Sequence, residues 1–595
     1  MFRYIIKKAK FFSLNRQNQK ALKEELSFKP GDDLIQEKLT KSLEENLSHI
    51  KQIFASSHDL KTHSLKFGKD KINAALIYID GLADAKFISN TILKSLIDWD
   101  EELKNKQENS SNQNSENKPQ TQNEKQNSKK QGGTISQNQA QESQSSDDEK
   151  EEKDKPQNQI MQTIKTDVLF SCDTTEAEDF EALIKTVLNG DLALMVEGAS
   201  VALRMNSTGF EKRAITEPAS ETVVRGPREG FTENIKTNAT LIRRKIKSSK
   251  LRVDHMIVGK KTNTDVYVMY LEDVAKQDIV KQVKARLSQI KVDGILETGY
   301  LEQYIEDAPF SPFSTLSYTE KPDVIAGKLL EGRVAILVDG TPFVLTAPML
   351  FVESFQTSED YYTRHFQASF NRIVRFIAYF FAIFLPAIYI ALTSFHQELI
   401  PTTLLLTVAN AREGTPFPVF VEVLIMVFAF EVLREAGIRL PRPVGQAISI
   451  VGALIMGEAA VSAGLVGAPM VITIALTAVS SFLVPTQNDS ATVLRGVMMI
   501  LAALLGFYGI MLGVLSVLIH LCSLTSFGVP YFDAFSFSRD LKDSVIRAPL
   551  WTMKRRPKDV VGEDETRIRM SKPPTTSGEN RLEKEGQGGV ADGEG

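Results

Sequence analysis

Between Ile373 and Leu521 the chain passes through five apolar stretches, roughly 373–395, 417–436, 444–464, 467–484 and 493–521. Each is near the ~20 residues a helix needs to cross hydrocarbon. No other feature constrains the fold as strongly, because backbone placed in lipid must satisfy its own hydrogen bonds and helices do so. The flanking sequence is soluble in character, so the mean hydropathy of −0.13 averages over unlike parts. The expected architecture is an α/β cytosolic head of two small α/β subdomains, followed by an all-α transmembrane domain.

The head reads in pieces. Residues 1–103 hold leading helices and a short buried strand, "AALIYIDGL" (74–82), and form the first part of an N-terminal α/β subdomain. Residues 104–159 are Gln, Asn, Ser, Lys and Glu with almost no apolar side chain. Such a segment cannot bury enough surface to offset its conformational entropy, so a disordered insertion is expected. Order resumes over 160–230 with strand, helix and strand in "VLFSCDTTEAEDFEALIKTVLNGDLALMVEG". A second α/β subdomain, 231–345, follows. It has strands on either side of a polar turn ("VDHMIVG", "VYVMYLE"), an amphipathic helix over 273–290 and a hairpin on Asp339-Gly340. Residues 346–372 are a juxtamembrane segment, 373–521 the transmembrane domain, 522–560 a basic cytosolic segment and 561–595 a disordered tail.

The net charge of −4 gives no broad positive field, so nucleic acid is set aside as a partner. Two cysteines, Cys172 and Cys522, suggest neither a disulfide nor a metal site. The basic N-terminus lacks a long apolar core and a cleavage site, so it makes a poor signal peptide. Arginines in "RHFQASFNRIVR" and "REAGIRLPRP" place those flanks on the cytoplasmic side, and the basic 538–558 segment belongs there too. Five full crossings would put that last segment outside. Parity therefore requires that one stretch fail to cross, or that 400–411 supply part of a sixth. The preferred non-crosser is 444–464, rich in Gly, Ala and Ser.

Ionisable groups inside a span cost roughly 2.5–3.5 kcal/mol each at mid-helix, so they normally face a partner helix or water. Glu422 lies near the start of the second stretch, where a structural, snorkelling or gating role fits. Glu431, Arg434 and Glu435 sit deeper at spacings of three and four, as an intersubunit or interhelix ion pair would require. Glu422 and Glu431 are about 180° apart on the helix, so one face cannot serve both. In "VGALIMGEAAVSAGLVG", Gly452, Gly457 and Gly464 keep the wall thin around Glu458 and Ser462. This reads as close packing or as a pore lining at an oligomer interface.

The stretch "ASETVVRGPREGFTENIKTNATLIRRKI" (219–246) displays Arg225 and Arg228 on a turn before a helical run, and by composition it is a linker and a surface helix. Together with "VDGTPFVLTAPMLFVESFQTSEDYY", "FEVLREAGIRLPRPVGQAISIVGALIMGEAAVSAGL" and "PLWTMKRRPKDV", it resembles the A subunits of the GerA family of spore germination receptors. The resemblance covers about 160–560 and 35–100; the Gln/Asn-rich insertion departs from shorter members. It implies an inner-membrane protein of the dormant spore that works with a permease-like B subunit and a lipoprotein C subunit. It also implies a homo-oligomer in membrane lipid, acting as a nutrient-gated ion channel, with head and C-terminal tail cytosolic. A solute transporter subunit and a structural or signal-relay scaffold are the alternatives. No Walker loop, nucleophile elbow or metal cluster argues for an enzyme, and no cofactor is expected.

Overall fold

The computed structural model of the chain describes residues 37–96 apart from 56 and 68–71, then 174–207, 217–218, 221–440, 452 and 455–532. It also describes 543–566 apart from 554, 558, 559 and 563–565. The insertion expected at 104–159 lies outside the described residues, as does all but 561, 562 and 566 of the expected tail. The chain divides into two units, Met1–Ala214 with Asn234–His255, and Ile215–Glu233 with Met256–Gly595.

In the first unit, helix α1 (Leu43–Ile53) starts where the Ser42 hydroxyl accepts the Glu45 N–H at 3.3 Å, with Glu44 and Glu45 at the positive end of the helix dipole. Helix α2 (Phe180–Asn189) begins in the same way on Asp179 and ends on left-handed Gly190. Strands β1 (Leu60–Phe67), β2 (Ile72–Ile79), β3 (Thr174–Ala177), β4 (Leu192–Val196) and β5 (Ala202–Met205) form one sheet in the order β1-β2-β4-β5-β3. Alternation along β2 and β4 feeds two cores. Leu76, Leu192 and Leu194 join Ile88 and Ile92 on one face, while Ile77, Ala193 and Met195 meet α1 and α2 on the other. Helix α3 (Ile235–Lys245) completes the unit through buried Arg243, whose Nη2 lies 2.6 Å from Asp59.

The second sheet repeats this plan. Strands β6 (Leu251–Val258), β7 (Thr264–Leu271), β8 (Ser317–Thr319), β9 (Val334–Val338) and β10 (Val344–Ala347) are ordered β6-β7-β9-β10-β8, strand for strand as in the first sheet. In each unit the last two strands are joined across a turn holding a positive-φ glycine, Gly198 in one and Gly340 in the other. Helices α4 (Gln277–Gln289), α5 (Thr298–Ile305) and α6 (Pro322–Leu330) accompany the second sheet. The α/β head of two antiparallel sheets is thus as the sequence implies.

A helical region follows: α7 (Glu359–Tyr362), α8 (His365–Ser394), α9 (Thr402–Arg412), α10 (Val419–Arg439), helical residues 455–462, α11 (Ala468–Phe482) and α12 (Asn488–Ser523). Ala387, Val423, Met470, Met498 and Ala502 share one core that draws on α8, α10, α11 and α12. Two helices are long and apolar enough to cross a membrane, His365–Ser394 and Pro485–Ser523.

The second of these does not run straight. At Gly506 the backbone takes φ 61 and ψ −138, a conformation closed to most side chains, and the helix folds back on itself. A Cβ on Gly513 would meet Met498 Sδ at 2.5 Å, whereas fifteen residues of straight helix would separate the two by about 22 Å. Both ends of α12 therefore reach the second α/β unit's side: Gln487 donates to Ser354, and His520 bonds Ser311 at 2.9 Å. Each arm is ~17–18 residues and about 26 Å long, near the thickness of the hydrocarbon core.

This reversal bears on the parity of the apolar stretches, because 493–521 forms two arms and not one. The stretch taken as the non-crosser, 444–464, begins after Arg439 on the head-proximal side, where Arg434 bonds Asn488 at 3.1 Å. It ends at Gly467, packed on Ala411 and Arg412 at the far end. Of that stretch only 452 and 455–464 are described, while the fold-back makes 493–521 two helical arms instead of one. The 484–495 connector lies against Ser354 and Tyr531 on the side of the second sheet. The chain then returns to the second sheet, where Phe527, Val529 and Val560 are buried in its core.

Candidate functional site in the membrane helices

Glu431 of α10 accepts from Arg495 Nη1 at 2.9 Å and pairs with Arg434 Nη2 at 2.6 Å. Arg495, on the first arm of α12, is almost wholly buried, and its Nε donates to the Ala382 carbonyl of α8 at 2.8 Å. That carbonyl is available because the residue four positions on is Pro386, which has no N–H to give it. One carboxylate thus ties three helices, with the arginine filling the gap that a proline leaves. Glu435 does not join them. It lies one turn nearer the helix end and pairs with exposed Arg439 at 2.6 Å.

Glu422 is fully buried, so it does not snorkel. Its Oε1 lies 3.5 Å from Arg412 Nη2 at the end of α9, while its Oε2, Arg412 Nε and the Tyr389 hydroxyl have no hydrogen-bond partner among the described residues. Sequence reasoning missed Arg412 and Arg495. The available signal was an arginine just inside one acid-free apolar stretch, 493–521, and another just beyond 400–411, set against the acids carried by 417–436.

Around Glu458 the small residues do two separate jobs. A Cβ on Gly452 would meet Leu433 at 3.1 Å and one on Gly457 would meet Val471 at 3.1 Å, so both allow close approach of α10 and α11. Gly464 instead takes φ 65 and ends the helical run. Glu458 and Ser462, four apart and hence on one face, are exposed, and Glu458 has no ion pair among the described residues.

The Arg225–Arg228 turn is held by its backbone and not by its guanidinium groups. The Arg225 N–H donates to Glu359 Oε1 at 3.2 Å. A Cβ on Gly226 would strike the Tyr362 ring at 2.8 Å. Arg225 and Arg228 are exposed, and Arg228 reaches Glu217 only at 3.8 Å, a contact of little energetic weight. Nearby, burial holds the Glu221 carboxyl above the ordinary Glu range, against the Thr319 hydroxyl donating to it at 2.6 Å. The turn Phe351–Phe355, which leads toward α8, is anchored to the second sheet by Glu353, which accepts from Arg333 Nε at 3.0 Å and lies 3.5 Å from half-buried Lys328.

A family model described as Bacillus/Clostridium GerA spore germination protein matches residues 48–559. Spore germination protein KA of Bacillus subtilis (strain 168) is 42% identical over 534 residues, 89% of this chain and 88% of its own. Spore germination protein GerLA of Bacillus cereus is 41% identical over 411 residues, 68% of this chain and 84% of its own. A solved structure, the N-terminal domain of the A subunit of the Bacillus megaterium spore germinant receptor GerK3, is 31% identical and covers 53% of this chain and 98% of that one, with a TM-score of 0.36.

Proposed function

The chain belongs to the GerA family of Bacillus and Clostridium spore germination proteins, and from that premise we propose that it is the A subunit of a nutrient-sensing germination receptor. In this reading it sits in the spore inner membrane with head and tail cytosolic. It assembles with itself and with a permease-like B subunit and a lipoprotein C subunit, and forms a nutrient-gated path for ions whose release starts germination.

The observation that carries the channel reading is Glu458. An acid within an apolar helical region, on an exposed face shared with Ser462, is costly against lipid and well suited to water on an oligomer axis. Glu431 has a different task, because its carboxylate is consumed by Arg434 and Arg495. Spores carrying Glu458→Gln are expected to bind nutrient normally and to release ions more slowly. Normal ion release in that variant would remove Glu458 from the path.

A further inference from the structure

Where α8 leaves the head, its first turns enter a charge cluster that the channel reading does not use. Arg372, with no solvent exposure, donates from Nε to Asp360 at 2.9 Å and from Nη1 to Asp543 Oδ1 at 3.1 Å and the Ser544 carbonyl at 3.2 Å. Arg375 grips the same Asp360 at 2.9 Å. Arg547, 5% exposed, donates from Nη2 to the Tyr361 carbonyl at 3.4 Å. Arg372 and Arg547 also lie against one ring, with guanidinium carbons 5.6 and 5.7 Å from the Tyr361 centroid.

Three guanidinium groups therefore face two carboxylates, and in the next ion pairs toward the sheet Glu331 and Glu353 are matched by two cations, Arg333 and Lys328. Two buried donors go unused: Arg372 Nη2 and Arg547 Nε have no acceptor among the described residues. An uncompensated buried cation with orphaned N–H groups is costly, and in a native protein it calls for an anion or an ordered water. Its position favours the anion. The cluster reaches solvent at Arg375, whose Nη2 bonds Thr357 at an exposed contact of 3.0 Å. It is flanked by exposed Phe366, Phe370 and Trp551, aromatic side chains of the kind that anchor at the headgroup level. Basic pockets at this depth hold lipid phosphates.

We propose that Arg372, Arg375 and Arg547 form a phosphate site, filled by the headgroup of an anionic phospholipid, that locks segment 543–547 onto the start of α8. The test is the melting temperature of the full chain in neutral detergent, titrated with phosphatidylglycerol, with phosphatidylcholine, or with inorganic phosphate. Wild type is expected to gain several degrees, saturably, from phosphatidylglycerol and nothing from phosphatidylcholine. Arg547→Gln is expected to melt near wild type without lipid and to lose the gain, while Arg375→Gln weakens it in case position 547 alone perturbs the fold. An equal gain from inorganic phosphate would support the site and assign it to a free anion. The same gain in both variants and wild type, or no gain from either phosphate source, would overturn it and leave water as the occupant.

Discussion

At the residue scale, a single carboxylate decides how three helices meet. Glu431 holds buried Arg495, which in turn serves the carbonyl that Pro386 frees on α8. Breaking such a pair from one side strands the other charge, at a cost of about 3–5 kcal/mol in buried settings. Glu431→Gln is accordingly expected to lower the melting temperature of the detergent-solubilised chain sharply, whereas Glu435→Gln, whose pair with Arg439 is exposed, changes it little. Equal effects would show that the three-helix tie carries no special weight.

Glu221 offers a second test at this scale. Its raised carboxyl binds a proton more tightly folded than unfolded. The contribution therefore favours the fold below the ordinary value of 4.5 and is lost as pH climbs through the folded value. Glu221→Gln should gain stability relative to wild type between pH 4 and pH 7, read as the difference of their melting temperatures. A difference that does not change with pH would contradict the assignment.

At the scale of elements, the decisive feature is one glycine. Gly506 turns a 36-residue helix into a hairpin, and a Cβ there would meet the His396 ring at 2.9 Å as well as a strained backbone. Gly506→Ala is expected to destabilise the chain by roughly 1–3 kcal/mol, seen as a lower melting temperature. A neutral substitution would mean that the reversal is not formed.

How much of this was legible follows from what each signal measures. Period-two and period-3.6 patterns located β7, β9, α2 and α4, and Asp339-Gly340 marked its hairpin, because those elements are specified by their own residues. The reversal at Gly506 was not legible. "ALLGFYG" is uniformly apolar, and nothing in its composition distinguishes a helical glycine from a hinge, so the fifth stretch reads as one helix instead of two arms. Partners of the intramembrane acids were half legible. Arg434 lies three residues from Glu431 on the same helix, whereas Arg495 and Arg412 come from elsewhere in the chain and meet their acids only after packing.

At the scale of the whole molecule, the Glu353 anchor and the burial of Phe527, Val529 and Val560 in the second sheet's core give a direct line from that sheet to α8. A receptor subunit needs such a line if a signal is to reach an ion path. The central claim is that the path runs past Glu458 in an assembly of this chain. It is tested most directly by the conductance of the purified oligomer in planar bilayers, beside Glu458→Gln. We expect wild-type channels whose conductance or ion selectivity changes in the variant. Channels unaltered by Glu458→Gln, or a bilayer that stays silent even with the complete receptor complex, would contradict it.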